Sequence, residues 1–521
     1  MGTSDVREVQ SGADGAIDHH GETLPELSKS ASRIDISKIE NARRVAKKQG
    51  DHPGIGWFYD LMMGFASRAF KGQFRTIEIT GLEHISEEAG MLTVAWHTNG
   101  LIDPMCISVT QSKRLVFGGR HDLVTRPILG PIASRMGTQP VIRQAELVRG
   151  GASEEAAGRI NGKTMLTIAD CIAHGQASAL FPEGTSHLDS KMKRLRTGPM
   201  RSVIAANSIA KERDLPEPHL LPVGLHFRTS FHFGTDVWIE YREPIHLSEF
   251  THSPGDRTKL ISGEWVEAPV ESVNTLRELV YQRLSEITPD SDTWDEHRTW
   301  HTLGHIEAQI VKKPLQTWKD EVLAARNIRD RIRNGESKLL DSIPAAERIS
   351  QSLHEVGLDG RSISSEGLRK PKITEKTAIL PAILLALMAA PLTIYSSGLM
   401  ILTAKILGDK TDEGLDARTT YHILLGLLGP ILIWPFAVII LGAFAYYLLV
   451  VVGYFGTLSL IHVMVIILIS PFCFHLSNRV ALKGWHFYVI YRDARRLTIF
   501  SKSENGANIE SDVKKLLVVL K

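Results

Sequence analysis

"AWHTNGLIDPMC", residues 95–106, decides how the rest of the chain is read. "GMLTVAW" (90–96) is a short apolar run bounded by turns, as a buried strand is. It delivers His97 to an Asn-Gly pair, a strong turn former. A helix is expected to follow at 104–111. Asp103 precedes Pro104, and aspartate caps helices while proline suits the first helical position. Asp103 therefore has a structural reading as a cap. It also has a chemical one. If 97–103 were all helix, the two side chains would point about 120° apart. "TNGL" breaks that geometry, and the turn can bring Asp103 back to His97. The aspartate can then hold one imidazole nitrogen and leave the other to take a proton from a hydroxyl. No nucleophilic serine motif is evident, so the substrate itself would supply that hydroxyl.

Outward from this stretch, strands and helices alternate. "RTIEITG" (75–81), "KRLVFGG" (113–119), "TQPVIR" (138–143), "ASALFPEG" (177–184), "HLLPVGLHF" (219–227) and "TDVWIEYREPI" (235–245) read as strands. Residues 57–74, 155–175 and 198–212 read as helices. The first has a large apolar face and basic edges, suited either to a core or to a membrane interface. The pattern predicts an α/β fold, a mixed, largely parallel sheet flanked by helices. Residues 270–345 are charged and helical in pattern, and read as a solvated helical extension.

The ends of the chain differ from its middle. The first 50 residues are polar and read as a loose, disordered tail. No Lys, Arg, Asp or Glu lies between Arg418 and Arg479. That is too long for one membrane helix, which needs about 20 apolar residues. "VVGYFGT" (451–457) divides it into two passes, 421–449 and 456–477. A third apolar stretch, 378–404, is re-entrant or spanning. Basic residues flank the region on both outer sides, which favours an even number of crossings with the catalytic domain cytoplasmic. The 60 basic and 58 acidic residues nearly balance, giving no case for nucleic acid. Cys106, Cys171 and Cys473 match no zinc or redox spacing.

"HTNGLIDP" (97–104) together with "FPEGTSH" (181–187) resembles the glycerol-3-phosphate and lysophospholipid acyltransferase superfamily. "GTQPVIR" (137–143) resembles that family's acceptor-binding block, and "LLPVGLHF" (220–227) its fourth block. The resemblance covers roughly 57–250. Two departures exist: five residues, 98–102, separate the histidine from the aspartate where the family usually has four, and Ser186 stands where an arginine is usual. Both look like the fungal-type glycerol-3-phosphate/dihydroxyacetone-phosphate acyltransferase branch.

The resemblance implies a membrane-bound O-acyltransferase of phospholipid synthesis. It would move a fatty acyl group from acyl-CoA, or an acyl carrier protein, to the sn-1 hydroxyl of glycerol 3-phosphate or dihydroxyacetone phosphate. His97 would be the general base and Asp103 its orienter, with no cofactor, metal or acyl-enzyme. Arg143 would pair with the acceptor phosphate. Glu183, Gly184, Thr185 and Ser186 would shape the acceptor pocket, with His187 a second polar contact. Arg120, Arg194 and Arg196 are candidates to replace the charge absent at Ser186. Pro222 would fix the backbone near the thioester. A lysophosphatidate acyltransferase, or a catalytically inactive membrane-anchored lipid-binding scaffold, are the alternatives. The expected organisation is a polar tail (1–50), an acyltransferase domain (51–255), a helical extension (256–370), a membrane region (371–500) and a C-terminal tail (501–521).

Overall fold

A computed structural model describes residues 6–8, 15–18, 23–229, 232–411, 418–453 and 457–521. Parts of the first 22 residues, the acidic stretch 412–417 and residues 454–456, within the expected divide at 451–457, lie outside them.

The core is a seven-stranded sheet. Its strands are β1 (Phe74–Thr80), β2 (Met91–Ala95), β3 (Leu115–Arg120), β4 (Gln139–Val141), β5 (Ala177–Leu180), β6 (His219–Phe227) and β7 (Thr235–Tyr241). They lie in the order β1-β7-β6-β2-β5-β3-β4, parallel throughout except between β6 and β7. Every residue of β2 is buried, as a central parallel strand requires when both faces are covered. Its side chains alternate between two cores, as the strand period of two dictates. Leu92 and Val94 meet the helices at 154–173 and 198–212 through Ile168, Ile172, Val203 and Ile204. Met91 and Ala95 face Phe70 of α1 (Gly56–Gln73) and Ile102 and Cys106 of α2 (Ile102–Thr110).

Several boundaries differ from the sequence expectation. Residues 24–42 are not a loose tail. Their few apolar residues are spaced so that each finds a hole: Leu24 and Leu27 pack on Ala145, while Ile34 and Ile39 pack on Ile142 and Ile160. Nor is the helical extension simply solvated. The helix Val270–Ile287 presents Val273, Leu276, Val280, Leu284 and Ile287 on one stripe and buries it in the sheet's own core. The C-terminal tail is also structured. The helix Glu504–Val519 inserts Val513 and Leu516 into a second core with Trp300, Leu303, Ile328 and Leu353 of the extension.

The apolar region forms α3 (Ile379–Asp409), α4 (Arg418–Leu432), α5 (Trp434–Val451) and α6 (Thr457–Phe500). The segments Ile373–Asp409, Trp434–Val451 and Leu460–Phe500 are long and apolar enough to cross a membrane. The expected single pass at 421–449 is instead two helices broken at Ile433. Pro430 and Pro435 flank the break, and proline removes a helical hydrogen bond and clashes with the preceding turn. The second expected pass continues well past 477, to Phe500. Residues 378–404 lack the unwound backbone of a re-entrant segment. Ser396, Ser397 and Gly398 stay helical, and Asn478 of α6 donates to Ser397 Oγ at 2.8 Å.

Sheet and extension are joined by a buried ionic cluster. Arg228 donates to Asp236 at 2.7 Å and to both oxygens of Glu321 at 2.6 and 2.8 Å. His305 lies 3.2 Å from the same Glu321 carboxylate. Burial pushes the Glu321 carboxyl up, but the hydrogen bonds of His305 and Arg228 outweigh it and hold the group at about 2. A depressed carboxyl contributes stability that is complete above its unfolded value and lost as pH falls through the folded one. Unfolding followed by circular dichroism should therefore show stability falling between about pH 4.5 and about pH 2. Arg228→Ala removes the guanidinium that Asp236 and Glu321 share, leaving Asp236 to Arg75 and Glu321 to His305 alone, and should cost about 3 kcal/mol at neutral pH; a loss under about 1 kcal/mol in denaturant titration would show that the cluster does not bind the two parts together.

Candidate active site

The singled-out residues gather at one edge of the sheet because parallel strands end there together. His97 follows β2, Glu183 follows β5, Arg120 ends β3 and Arg143 follows β4, and these four strands are neighbours in that order. Strand spacing puts Arg143 roughly 14 Å from His97 along the edge. Ligands of open α/β sheets bind outside the carboxyl ends of the strands.

At the centre, His97 Nδ1 lies 2.9 Å from Asp103 Oδ2. The same oxygen accepts the backbone N–H groups of Thr98 at 2.7 Å and Asn99 at 2.8 Å. The helix begins earlier than expected, at Ile102. Asp103 is thus inside its first turn and reaches back to the preceding loop, not serving as the expected cap before Pro104. Asp103 is fully buried, and burial pushes its carboxyl up, against the pull of His97 and of the Asn99 and Thr98 N–H groups. With Nδ1–H donating to the carboxylate, the lone pair of the neutral ring sits on Nε2. No described residue hydrogen-bonds that nitrogen, and the side chain retains 14% exposure. The ring is stacked on Phe181, centroids 4.1 Å apart, which fixes its plane.

Glu183 lies elsewhere than an acceptor pocket would have it. It is buried, and each oxygen is taken by protein. Oε2 accepts the backbone N–H of His97 at 2.9 Å, and Oε1 accepts that of Lys193 at 2.7 Å and His187 Nε2 at 2.6 Å. His187 is likewise buried; its Nδ1 accepts the N–H of Asp189, which leaves Nε2–H to donate to Glu183. The backbone N–H of His187 returns to the carbonyl of His97 at 3.1 Å. The acid corner and the histidine turn are thus latched together. Gly184 has φ +75°, a left-handed backbone that glycine adopts without strain. Thr185 Oγ1 donates to the Ser186 carbonyl at 3.3 Å. Pro222 is buried within β6 opposite Val94, so it shapes the strand and does not face a ligand.

The arginines divide. Arg143 gives Nε and Nη2 to the buried Glu146 at 2.9 and 2.6 Å. Arg120 is paired with Asp122 and Arg196 with Asp18. Arg194 is half-buried and has no described partner; it adjoins Lys193, whose N–H Glu183 binds. Two residues of the site give no local signal in the sequence. Thr419 Oγ1 of α4 donates to Asn99 Oδ1 at 2.9 Å, and Thr420 Oγ1 accepts the N–H of Leu101 at 3.2 Å. Both lie more than three hundred residues further along the chain.

Residues 76–226 match the family model for acyltransferases, a span that holds His97, Asp103, Arg143, Glu183 and Pro222. Residues 76–226 are thus similar to acyltransferase domains. No curated protein matches it. Among solved structures, the 1-acyl-sn-glycerophosphate (LPA) acyltransferase PlsC from Thermotoga maritima is similar at 18% identity and a TM-score of 0.27, over 44% of this chain and 79% of that one.

The latch makes Glu183 a structural residue first. Glu183→Ala leaves the His97 and Lys193 N–H groups and His187 unpaired in a buried corner, and should lower stability by at least about 2 kcal/mol. Denaturant unfolding measures this; an unchanged midpoint with only a raised KM would point back to an acceptor contact.

Proposed function

We propose that this protein is a membrane-bound O-acyltransferase that moves a fatty acyl group from acyl-CoA to the sn-1 hydroxyl of glycerol 3-phosphate or dihydroxyacetone phosphate. The observation that carries the reading is the His97–Asp103 pair, with Nε2 open at the carboxyl edge of the sheet. Asp103 selects the tautomer in which Nε2 is basic. That nitrogen accepts the acceptor's hydroxyl proton as the oxygen attacks the thioester carbonyl. The new C–O bond forms, the C–S bond breaks, and the imidazolium returns the proton to the departing thiolate. Atoms balance without an acyl-enzyme. Phe181 holds the ring flat for the transfer.

The small phosphorylated acceptor needs a cation, because guanidinium forks suit phosphate oxygens. Arg143 can still offer Nη1, but its other donors are committed to Glu146. Arg194, half-buried and without an ion-pair partner among the described residues, has uncommitted donors, which supports it as the cation for the phosphate. The apolar helices fit the acyl chain, which partitions into a bilayer while the phosphate stays at its surface. The basic flanks of that region support a cytoplasmic catalytic domain.

Purified protein in lipid, given radiolabelled acyl-CoA and each acceptor separately, tests the assignment. His97→Ala should lower kcat by about 100- to 10,000-fold. Unchanged transfer in that variant rules out the general base. Arg194→Ala should raise KM for glycerol 3-phosphate about tenfold or more, leaving KM for acyl-CoA unchanged. A strong preference for lysophosphatidate would reassign the acceptor, and no transfer to any acceptor would favour a lipid-binding scaffold.

A further inference from the structure

The first turn of α4 touches the loop that carries His97, and the chemistry above makes no use of it. Asn99 and Thr419 are both fully buried where they meet. Asn99 is held from two sides: its backbone N–H is bound by Asp103 Oδ2 and its side-chain oxygen by the Thr419 hydroxyl. Leu101 precedes α2 and has no side-chain cap of its own helix to serve it. Its N–H is one of the groups a helix start leaves without a partner, and Thr420 supplies the acceptor from across the molecule. Gly100 lies between the two contacts. A Cβ there would sit 3.2 Å from Thr420 Oγ1, which marks how closely the helix approaches the turn.

The seat of α4 is firm. Ile423 is buried in the same core as Ala66, Phe70 and Ile102, with Leu427 packed against it. Gly426 faces Ala69 of α1, where a Cβ would lie at 3.7 Å from the alanine methyl. Glycine and alanine bring the two helices close. α4 also leads directly, across the break at Ile433, into the apolar helix α5.

We propose that Thr419 and Thr420 are positioning residues for acyl transfer, holding the 98–101 turn so that Asp103 keeps His97 oriented. The inference rests on the His97 reading given above. A movement of α4 displaces Asn99, and the N–H of Asn99 is one of the donors that fix the Asp103 oxygen. The ring is then free to turn about Nδ1. The loss falls on the chemical step, because neither threonine touches acceptor or donor. The membrane region thereby contributes to the active site and is more than an anchor.

The full-length protein in phosphatidylcholine nanodiscs serves for the test. Thr419→Val keeps the shape and removes the hydroxyl; kcat should fall about tenfold, as loss of one buried hydrogen bond in the transition state gives, with both KM values within about twofold. Thr419→Ser should restore most of the rate. A Gly100→Cys/Thr420→Cys pair should form a disulfide under mild oxidation, read as a cross-linked peptide by mass spectrometry. Wild-type kcat in Thr419→Val, equal losses in the Val and Ser variants, or absence of the cross-link each overturn the proposal. His97→Ala is the separate control. If it retains full activity the general-base reading fails; if it is inactive while Thr419→Val is normal, only the positioning role fails.

Discussion

One carboxylate oxygen organises the edge of the sheet that carries His97. Asp103 Oδ2 takes the imidazole N–H of His97 and the backbone N–H groups of Thr98 and Asn99. A buried carboxylate is costly unless hydrogen-bonded, so its ionised form is sustained only while the loop keeps this shape. The loop in turn keeps this shape because the carboxylate gathers its donors. Neither is stable alone. This mutual dependence explains why an aspartate in the first turn of α2 can govern a histidine at the end of β2.

A second latch repeats the logic from the other side. Glu183 binds the histidine's own backbone N–H, and His187 binds the histidine's carbonyl. The two short motifs are therefore one unit assembled from neighbouring strand ends. His97 is held by its ring, its N–H and its C=O, each by a different partner. Among the described residues, what remains unengaged is Nε2, the atom that the proposed transfer uses. Structural rigidity and chemical availability are thus separated on the same residue.

Much of this was legible in the sequence, for definable reasons. The strands at 90–96 and 219–227 announced themselves by apolar runs between turns, and Asn99-Gly100 announced the bend that joins His97 to Asp103. Signals with a local cause were readable. Signals that depend on distant partners were not. Composition averaged over the first 50 residues hid Ile34 and Ile39, which pack only because Ile142 and Ile160 wait for them. The stripe from Val273 to Ile287 was obscured by the charges between its members. Glu183 was a ligand contact only by resemblance; its partners lie in its own turn, at His187 and Lys193, and on the distant His97, whose approach no local signal announces. The break at Ile433 was visible in Pro430 and Pro435 but was outweighed by unbroken hydropathy. Thr419 lies two residues before the expected pass at 421–449, and its partner Asn99 is 320 residues away.

Helix α6 has a geometric consequence of its own. At about 1.5 Å per residue, its span from Thr457 to Phe500 measures roughly 66 Å, about twice the hydrocarbon thickness of a bilayer. Its far end, at Leu497 and Phe500, is cemented into the core formed by the extension and the C-terminal helix. The apolar stretch Leu460–Phe500 and the core of the extension thus share one helix, so a displacement of the one is carried to the other, with Pro471 the point inside the helix where it can bend.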